Sequence, residues 1–405
     1  MMVKSHHTGF DLVRLTSAMK TELQMPVLTC GGMRYQQSWQ DIDPKDLDAR
    51  GQENLEACIR RAVECGMNHI ETARGYGSSE YQLGFILPSF PRDEIRVQTK
   101  IGPKDSEDEF LKTFDTSLKH LQLDYVDLLG VHGINTRERV DKTLHGGTLS
   151  ACRKLQDRGL VRHVGFSTHG PTDAIVAAVK SGEFSYVNLH WYYFDQLNWP
   201  AVEAATELDM GVFIISPNDK GGKLYEPPDK LVELCKPFTP MGFNDLFCLS
   251  RPEVHTLSIG ASRPTDFDAH LAILPEVERA GEAIGPVQER LEAEAARVLG
   301  QDWVDRWQEN LPETGSVPGE VQLYHTLRMY NMAKAFDMIG YGKMRYNLLG
   351  SGDHWFPGNK VDKMDWNKFP ASVAGHPFAD RLPGILREAH ALFAAEDKKR
   401  LSDGG

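Results

Sequence analysis

The stretch 68-NHIETARGYGSSEYQLGFIL-87 contains one complete unit of the pattern that decides the fold. Residues 68–72 have the character of a short buried strand, and a Gly-Tyr-Gly turn interrupts the chain after them. Ser78, a residue type that often caps helices, then opens a segment with helical spacing. The stretch therefore predicts a strand, a turn and a helix, with the carboxylate of Glu71 and the phenol of Tyr76 near the strand end.

The same strand-then-helix unit repeats along the chain until about residue 275. The strand segments are continuous apolar runs, which is typical of a parallel sheet covered by helices. Eight units in this length predict a (β/α)8 TIM barrel. A doubly wound sheet is the competing fold, but 30-CGGMRY-35 lacks the G-x-G-x-x-G turn of that class. The predicted strands are PVLTCG (26–31), NHIET (68–72), IRVQTK (95–100), YVDLLGVH (125–132), VRHVGFS (161–167), SYVNLHW (185–191), VFIIS (212–216) and VHTLSIGA (254–261).

The pattern changes near residue 280, where amphipathic helical segments replace the strand–helix units. The segments 285-GPVQERLEAEAARVLG-300 and 321-VQLYHTLRMYNMAKAFDMIG-340 each predict a helix, and no β-branched run follows them. We therefore predict a barrel domain over residues 1–280 and a small all-helical C-terminal extension over residues 281–405.

The composition is ordinary for a globular protein, with 41% hydrophobic and 25% charged residues among 405. No apolar run approaches the roughly 20 residues that a membrane span needs, and the first residues lack the apolar core of a signal peptide. The formal net charge of −12 disfavours nucleic acid as a partner. Six cysteines without a C-x-x-C pair predict reduced thiols and no zinc ribbon. We therefore expect a cytoplasmic protein that acts on small molecules.

Polar side chains at the carboxyl ends of successive strands form the candidate site, because functional groups of such barrels collect there. These residues are Glu71 and Tyr76 after the second strand, Lys100 at the third and His132 at the fourth. A phenol with a pKa of about 10 is a weak acid, and a neighbouring ammonium lowers that pKa. A carboxylate would hold the ammonium in place, and an imidazole would donate a hydrogen bond to the same substrate oxygen. This set is suited to protonating a carbonyl oxygen while a hydride from a nicotinamide attacks the carbon.

The segments ETARGYG, VQTK, LLGVH, GFSTH and SPNDKGG, in this order, resemble the aldo-keto reductase family over roughly residues 25 to 275. The resemblance implies an NAD(P)H-dependent reductase of aldehydes or ketones that also runs in reverse on alcohols. It also implies that Tyr76 is the proton donor, that Lys100 tunes it, and that His132 orients the substrate. Glu71 stands where the family usually has aspartate.

The resemblance further implies a set of cofactor-binding residues. Ser167, Thr168 and Asn188 occupy positions that hold the nicotinamide carboxamide, although the family usually has Asn and Gln at the last two. The adenine-phosphate segment, 258-SIGASRPTDFDAHL-271, departs most from the family, because Asp266 would repel a 2′-phosphate. Arg263 is nevertheless suited to bind one, so NADP is predicted, with NAD as the alternative. The predicted cofactor-binding residues are Met33, Ser167, Thr168, Asn188, Ser216, Gly260, Ala261 and Arg263.

The C-terminal part resembles a ferredoxin-like helical extension that some bacterial members of the family carry. The approach 338-MIGYGKMRYNLL-349 is similar, but 350-GSGDHWFPGNK-360 has no cysteine where cluster ligands would fall. Iron–sulfur clusters need thiolate ligands, so no cluster is expected.

Two other functions compete with the reductase. One is a cofactor-binding regulatory barrel with weak or no turnover, which Glu71 and the unusual phosphate segment leave open. The other is a metal-dependent hydrolase built on His132, His169 and His190, which lacks a clear set of carboxylate ligands. No metal is predicted, and the expected partner is a small-molecule carbonyl compound or alcohol.

Overall fold

In the computed structural model, which describes residues 13–14, 23–350 and 357–396, eight parallel strands close into a barrel. The order around the barrel is the order in the chain, and the last strand pairs with the first. All eight predicted strands are confirmed, and so is the (β/α)8 class. The strands are β1 (Leu28–Gly31), β2 (His69–Glu71), β3 (Arg96–Ile101), β4 (Val126–Val131), β5 (Val161–Ser167), β6 (Tyr186–Leu189), β7 (Gly211–Ile215) and β8 (Thr256–Gly260).

Helices cover the outside of the barrel and continue into the C-terminal part. The bounds are α1 (Ala49–Glu64), α2 (Ser79–Leu83), α3 (Glu107–Leu121), α4 (Arg137–His145), α5 (Thr148–Asp157), α6 (Thr172–Lys180), α7 (Trp199–Glu207), α8 (Asp229–Cys235), α9 (Pro240–Leu249), α10 (Asp268–Leu271), α11 (Ala280–Leu299), α12 (Gln301–Arg306), α13 (Leu323–Phe336), α14 (Ile339–Tyr346), α15 (Phe369–Ser372) and α16 (Leu382–Phe393).

Two of the predicted helices have other bounds in the structure. The helix after β2 ends at Leu83, and the single helix predicted over residues 321–340 is two helices in the structure. Asp337, with φ of 59°, ends α13 in the left-handed conformation that closes many helices. The break gives α14 a direction of its own, and α14 is the helix that reaches the barrel loops.

The barrel interior is filled by side chains, as in other barrels of this class. Tyr186 stacks on Phe213 with ring centroids 5.1 Å apart, and Leu128 and Met25 complete this inner cluster. Met25–Pro26 also pairs with Val13–Arg14 in a short antiparallel ribbon. A much larger apolar core lies between the strands and the surrounding helices.

The helical extension packs directly on the barrel. Helix α11 lies against both α9 and α13, and α13 packs on α14 and α16. Arg328 of α13 is buried and donates to the carbonyl of Phe194 at 3.1 Å and to the hydroxyl of Tyr341 at 3.1 Å. The division at residue 280 remains a prediction, since α11 contacts both parts.

The six cysteines are free thiols, and five of them are buried. None of the helices in residues 23–350 and 357–396 has the length and apolar character needed to cross a membrane. Residues 351–356, within the segment where cluster cysteines were sought, lie outside the described part of the chain.

Candidate active site

The register of three neighbouring strands brings the predicted catalytic residues to one end of the barrel. Glu71, the last residue of β2, pairs with Gln98 of β3, and Lys100 of β3 pairs with Gly130 of β4. A Cβ at position 130 would lie 3.1 Å from Lys100 Cγ, so the glycine leaves room for the lysine stem. His132 follows β4 directly.

Lys100 is the centre of this group, and its side chain is only 1% exposed. Its ammonium donates to Glu71 Oε1 at 2.7 Å, to the carbonyl of Thr72 at 2.9 Å and to Tyr76 Oη at 3.4 Å. Burial alone would lower the pKa of Lys100, but the charges of Glu71 and Tyr76 outweigh it and raise that pKa. Lys100 is therefore a charged group held between a carboxylate and a phenol.

Glu71 contacts Lys100 in spite of its extra methylene. It is 3% exposed, and its second oxygen, Oε2, accepts from Asn188 Nδ2 at 3.4 Å. The 2.7 Å contact with Lys100 shows that the longer acid reaches the lysine.

The imidazole of His132 meets the ring of Tyr76 edge-on, with ring centroids 5.7 Å apart and an interplanar angle of 84°. Tyr76, Lys100, His132 and Glu71 all line one cavity. The structure therefore brings together the four side chains that the sequence singled out.

Gly77 gives the turn its shape. Its φ is 54°, and a Cβ there would lie 2.1 Å from the carbonyl oxygen of Ser38. The hydroxyl of the neighbouring Ser78 donates to the same carbonyl at 3.2 Å instead of capping α2. Of the two glycines that flank Tyr76, Gly77 is therefore the one whose backbone conformation and close packing require a glycine.

We expect Gly77→Ala to lower the free energy of unfolding by more than the roughly 1–2 kcal/mol of a left-handed alanine, because Ser38 must also move. Gly159→Ala is the matched control, since Gly159 has a φ of 71° but no atom within 4 Å of the place a Cβ would take. Urea unfolding of both variants measures the difference. Equal losses would show that the close packing at Gly77 is unimportant.

The cavity has a volume of about 670 Å³ and extends from the four residues toward the loop after β8. That volume is within the range of ordinary cofactor and ligand sites. The predicted cofactor residues that line it are Met33, Ser167, Ser216, Gly260 and Arg263.

Three predicted cofactor residues do not line this cavity. Asn188 is fully buried and accepts from Gln98 Nε2 at 2.8 Å. The hydroxyl of Thr168 donates to the carbonyl of Ile134 at 2.7 Å, and Ala261 is 1% exposed. Their cofactor role stays a prediction, because in the structure their side chains support the strand ends instead.

The segment after β8 shows how an acidic residue is accommodated beside the cavity. Asp266 Oδ2 accepts from the backbone N–H of Ser262 at 2.9 Å, and Asp266 Oδ1 lies 2.8 Å from Arg263 Nε. Although burial would raise it, the pKa of Asp266 is held below its usual value by Arg263 and by these N–H donors. Asp266 thus caps the N-terminus of the short 3-10 helix Pro264–Phe267, while the side chain of Arg263 is 73% exposed.

Several cavity residues were missed by the sequence analysis. Arg34 lies 3.7 Å from Asp219 and over the ring of Tyr225. Asn135 also lines the cavity, and its Oδ1 accepts from the backbone N–H of His169 at 2.6 Å. Arg34 and Asn135 follow the first and fourth strands within a few residues, so the strand-end rule extended further along each loop would have found them.

His169 and His190 form a pair away from His132. Their rings stack with centroids 4.7 Å apart, and Lys220 Nζ lies 3.2 Å from His169 Nδ1. No group of three or more metal-ligating side chains was found in the described part of the chain, and the ammonium disfavours a cation between these rings.

Comparison with known proteins agrees with this geometry. The model of the aldo/keto reductase family matches residues 27–206. The chain is 28% identical over 264 residues to L-galactose dehydrogenase of Arabidopsis thaliana, covering 56% of this chain and 79% of that protein. It is 30% identical over 141 residues to an aldo-keto reductase of Mycolicibacterium smegmatis, covering 34% of this chain. Several curated relatives are matched over half of their length or less, 49% in the last case.

Solved structures share the fold at low identity. An aldo-keto reductase from Bacillus halodurans, in its holo form, superposes with a TM-score of 0.53 and 19% identity, covering 65% of this chain and 95% of that one. An aldo-keto reductase from Klebsiella pneumoniae superposes with a TM-score of 0.51 and 16% identity, covering 65% of this chain and 93% of that one. The chain is thus similar to aldo-keto reductases, and the similarity lies in its barrel.

Proposed function

We propose that this protein is a nicotinamide-dependent oxidoreductase that reduces an aldehyde or ketone to an alcohol, or oxidises the alcohol in reverse. The observation that carries the proposal is the contact of one buried ammonium, Lys100 Nζ, with both Glu71 and Tyr76 beside His132. The match to the aldo/keto reductase family model supports the same reaction class.

Tyr76 is the proposed proton donor. Its oxygen accepts from Lys100, and a phenol that accepts a hydrogen bond keeps its own O–H for donation. As the proton leaves, negative charge develops on the phenol oxygen, and the adjacent ammonium stabilises that charge. His132, edge-on to the Tyr76 ring, is the proposed hydrogen-bond donor to the same substrate oxygen.

Glu71 acts through Lys100. A buried ammonium is costly unless it is paired, and Glu71 provides that pairing. This arrangement removes one reason for the regulatory alternative, because the longer acid does not disrupt the contact with Lys100.

The cavity suits a nicotinamide dinucleotide, which when bound would supply the hydride. Gly260, Ser216 and Arg263 also line the cavity, and the side chain of Arg263 is exposed. Ile215 offers an apolar face at the start of the loop after β7. We propose NADP, because a guanidinium binds a phosphate well and the charge of Asp266 is already compensated by Arg263 and two N–H groups.

Arg263→Ala should weaken NADP binding by about tenfold while changing NAD binding little, because only NADP carries the 2′-phosphate. Fluorescence titration of both cofactors against wild type and variant measures this difference. Arg279→Ala is a matched control, since Arg279 pairs with Glu276 three residues away, as Arg263 does with Asp266, but does not line this cavity. Tighter binding of NAD than of NADP by the wild type would reverse the choice of cofactor.

The function itself is tested by following NADPH absorbance with a panel of aldehydes and ketones. We expect turnover of at least one carbonyl compound and formation of the matching alcohol. A cofactor that binds but is oxidised by no member of the panel, even in a single turnover, would favour the regulatory alternative.

A further inference from the structure

A second cavity, of about 570 Å³, lies between the barrel loops and the helical extension. Its walls come from both parts: Leu197 and Asn198 belong to the loop after β6, and Tyr324 belongs to α13 of the extension. His169 and Lys220 line both this cavity and the one that holds Tyr76. The two spaces therefore adjoin at these two residues.

The junction has a defined hydrogen-bond pattern. Tyr192 Oη donates to the carbonyl of Ile215, so it must accept from His190 Nδ1. His190 Nε2 contacts His169 Nδ1 directly, and Lys220 Nζ lies 3.4 Å from His190 Nε2 and 3.2 Å from His169 Nδ1. The ammonium is thus positioned at the boundary between the cavities, where a ligand that occupies both must pass it.

The extension holds the loop that carries Lys220. Tyr341 Oη donates to the carbonyl of Lys220 at 2.7 Å, and Arg345 forms an ion pair with Asp219. Burial alone would raise the pKa of Asp219, but Arg345 outweighs it and holds that pKa below its usual value. The helix α14 therefore fixes one side of the junction.

The charged residues that line the cavity balance in number, with Asp173, Asp195 and Glu313 against Lys220, Arg328 and Arg345. Arg328 lies 3.3 Å from Asp195, and Arg345 is paired with Asp219, so both of these arginines face a carboxylate of the barrel. Paired charges of this kind do not select strongly for an anion or a cation.

The remaining lining suits a ring that bears hydroxyl groups. Tyr324 and Tyr341 offer aromatic rings, and Gln308 carries an amide, while the amides of Asn198 and Gln322 are already hydrogen-bonded within the protein. An amide both donates and accepts, as a hydroxyl does, and aromatic walls with a few polar groups are usual in small-molecule sites.

We propose that this second cavity is a substrate subsite that the extension completes, and that it takes an uncharged, hydroxyl-bearing ring attached beyond the reacting carbonyl. The proposal rests on the function proposed above for the adjoining cavity. It assigns the extension a direct part in selecting substrates by length and by the polarity of their distal end.

The test compares two aldehydes with the same reacting group, benzaldehyde and 4-formylphenyl β-D-glucoside. We expect wild-type protein to prefer the glucoside, and to prefer it over the equally large but anionic 4-formylphenyl β-D-glucuronide by about tenfold in kcat/KM. A preference for the glucuronide, or no gain over benzaldehyde, would overturn the proposed ligand class.

Two substitutions fill the cavity from opposite walls, Gly315→Trp in the extension and Leu197→Trp in the barrel. Gly315 lines the cavity and has open space where a Cβ would lie, with no atom within 4 Å, and Leu197 is 39% exposed. Each should lower the glucoside-to-benzaldehyde ratio of kcat/KM by about tenfold. Gly281→Trp, in α11 and with the same open space around its Cβ position, lines neither cavity and should leave the ratio unchanged.

Binding of phenyl β-D-glucoside, measured by calorimetry, separates this proposal from the proposed reaction because it needs no turnover. Binding by wild type that Gly315→Trp weakens and Gly281→Trp spares would support the subsite even if no aldehyde were reduced. The subsite would be overturned if none of the three substitutions changed the glucoside-to-benzaldehyde ratio of kcat/KM or the affinity for phenyl β-D-glucoside. That result would not contradict the proposed reductase activity.

Discussion

Tyr76→Phe should reduce kcat/KM for carbonyl reduction by about 10²–10⁴-fold, because it removes the one hydroxyl to which we assign protonation of the substrate oxygen. The change deletes a single oxygen and keeps the ring, so the edge-on contact with His132 remains available. The affinity for the cofactor should stay nearly constant. Steady-state kinetics and cofactor titration on the same preparation measure both quantities.

Tyr81→Phe is a matched control for this prediction. Tyr81 lies five residues further along the chain, in α2, and its ring packs against Phe85 and His120 outside both cavities. Its substitution should leave turnover unchanged. A Tyr76→Phe protein that kept wild-type turnover would show that another group protonates the substrate.

Lys100→Met has the second large expected effect, on both activity and stability. Turnover should fall by about 10² or more, because the phenolate loses the charge that stabilises it. The free energy of unfolding should fall by about 3–5 kcal/mol, because Glu71 is left buried without its cation. Chemical denaturation and steady-state kinetics measure the two losses separately.

A second substitution separates the two effects of Lys100→Met. Adding Glu71→Gln removes the uncompensated charge, so the double variant should regain most of the lost stability but none of the lost activity. Lys334→Met is the control for an exposed pair: Lys334 and Glu388 are 41% and 50% exposed, and breaking such a pair costs about 0–1 kcal/mol. Recovery of activity in the double variant would contradict the role given to Lys100.

The barrel was predictable because its strands are continuous apolar runs, and runs of this kind are strong signals. Helix α4 was missed for the opposite reason, since Arg137–His145 contains few apolar residues and buries only Val140 and Thr143. The helix predicted over residues 321–340 keeps its helical spacing through Asp337, so the left-handed residue that divides it leaves no mark in the pattern.

The clustering of Glu71, Tyr76, Lys100 and His132 was predictable because each lies at or shortly after the end of a strand, and the proposed chemistry needs all four side chains together. The direction in which a polar side chain points was not predictable from the sequence. Asn188 and Thr168 sit at strand ends as expected, yet each finds its partner within the protein, in Gln98 and in a backbone carbonyl. Such choices depend on which neighbours the barrel brings close, and a single sequence does not specify them.

The contacts between the extension and the barrel were likewise not predictable from the sequence. Arg345 and Asp219 are 126 residues apart, and neither belongs to a motif that points to the other. Only the direction of α14, set by the break at Asp337, places the arginine on that loop.

The most direct test of the central claim is a single-turnover experiment with NADPH deuterated at the transferring position and an aldehyde that the wild type reduces. We predict that deuterium appears on the carbinol carbon of the product and that Tyr76→Phe slows this transfer by about 10²-fold or more. Transfer at the same rate in Tyr76→Phe and wild type, or an alcohol without the label, would contradict proton donation by a phenol tuned through Lys100.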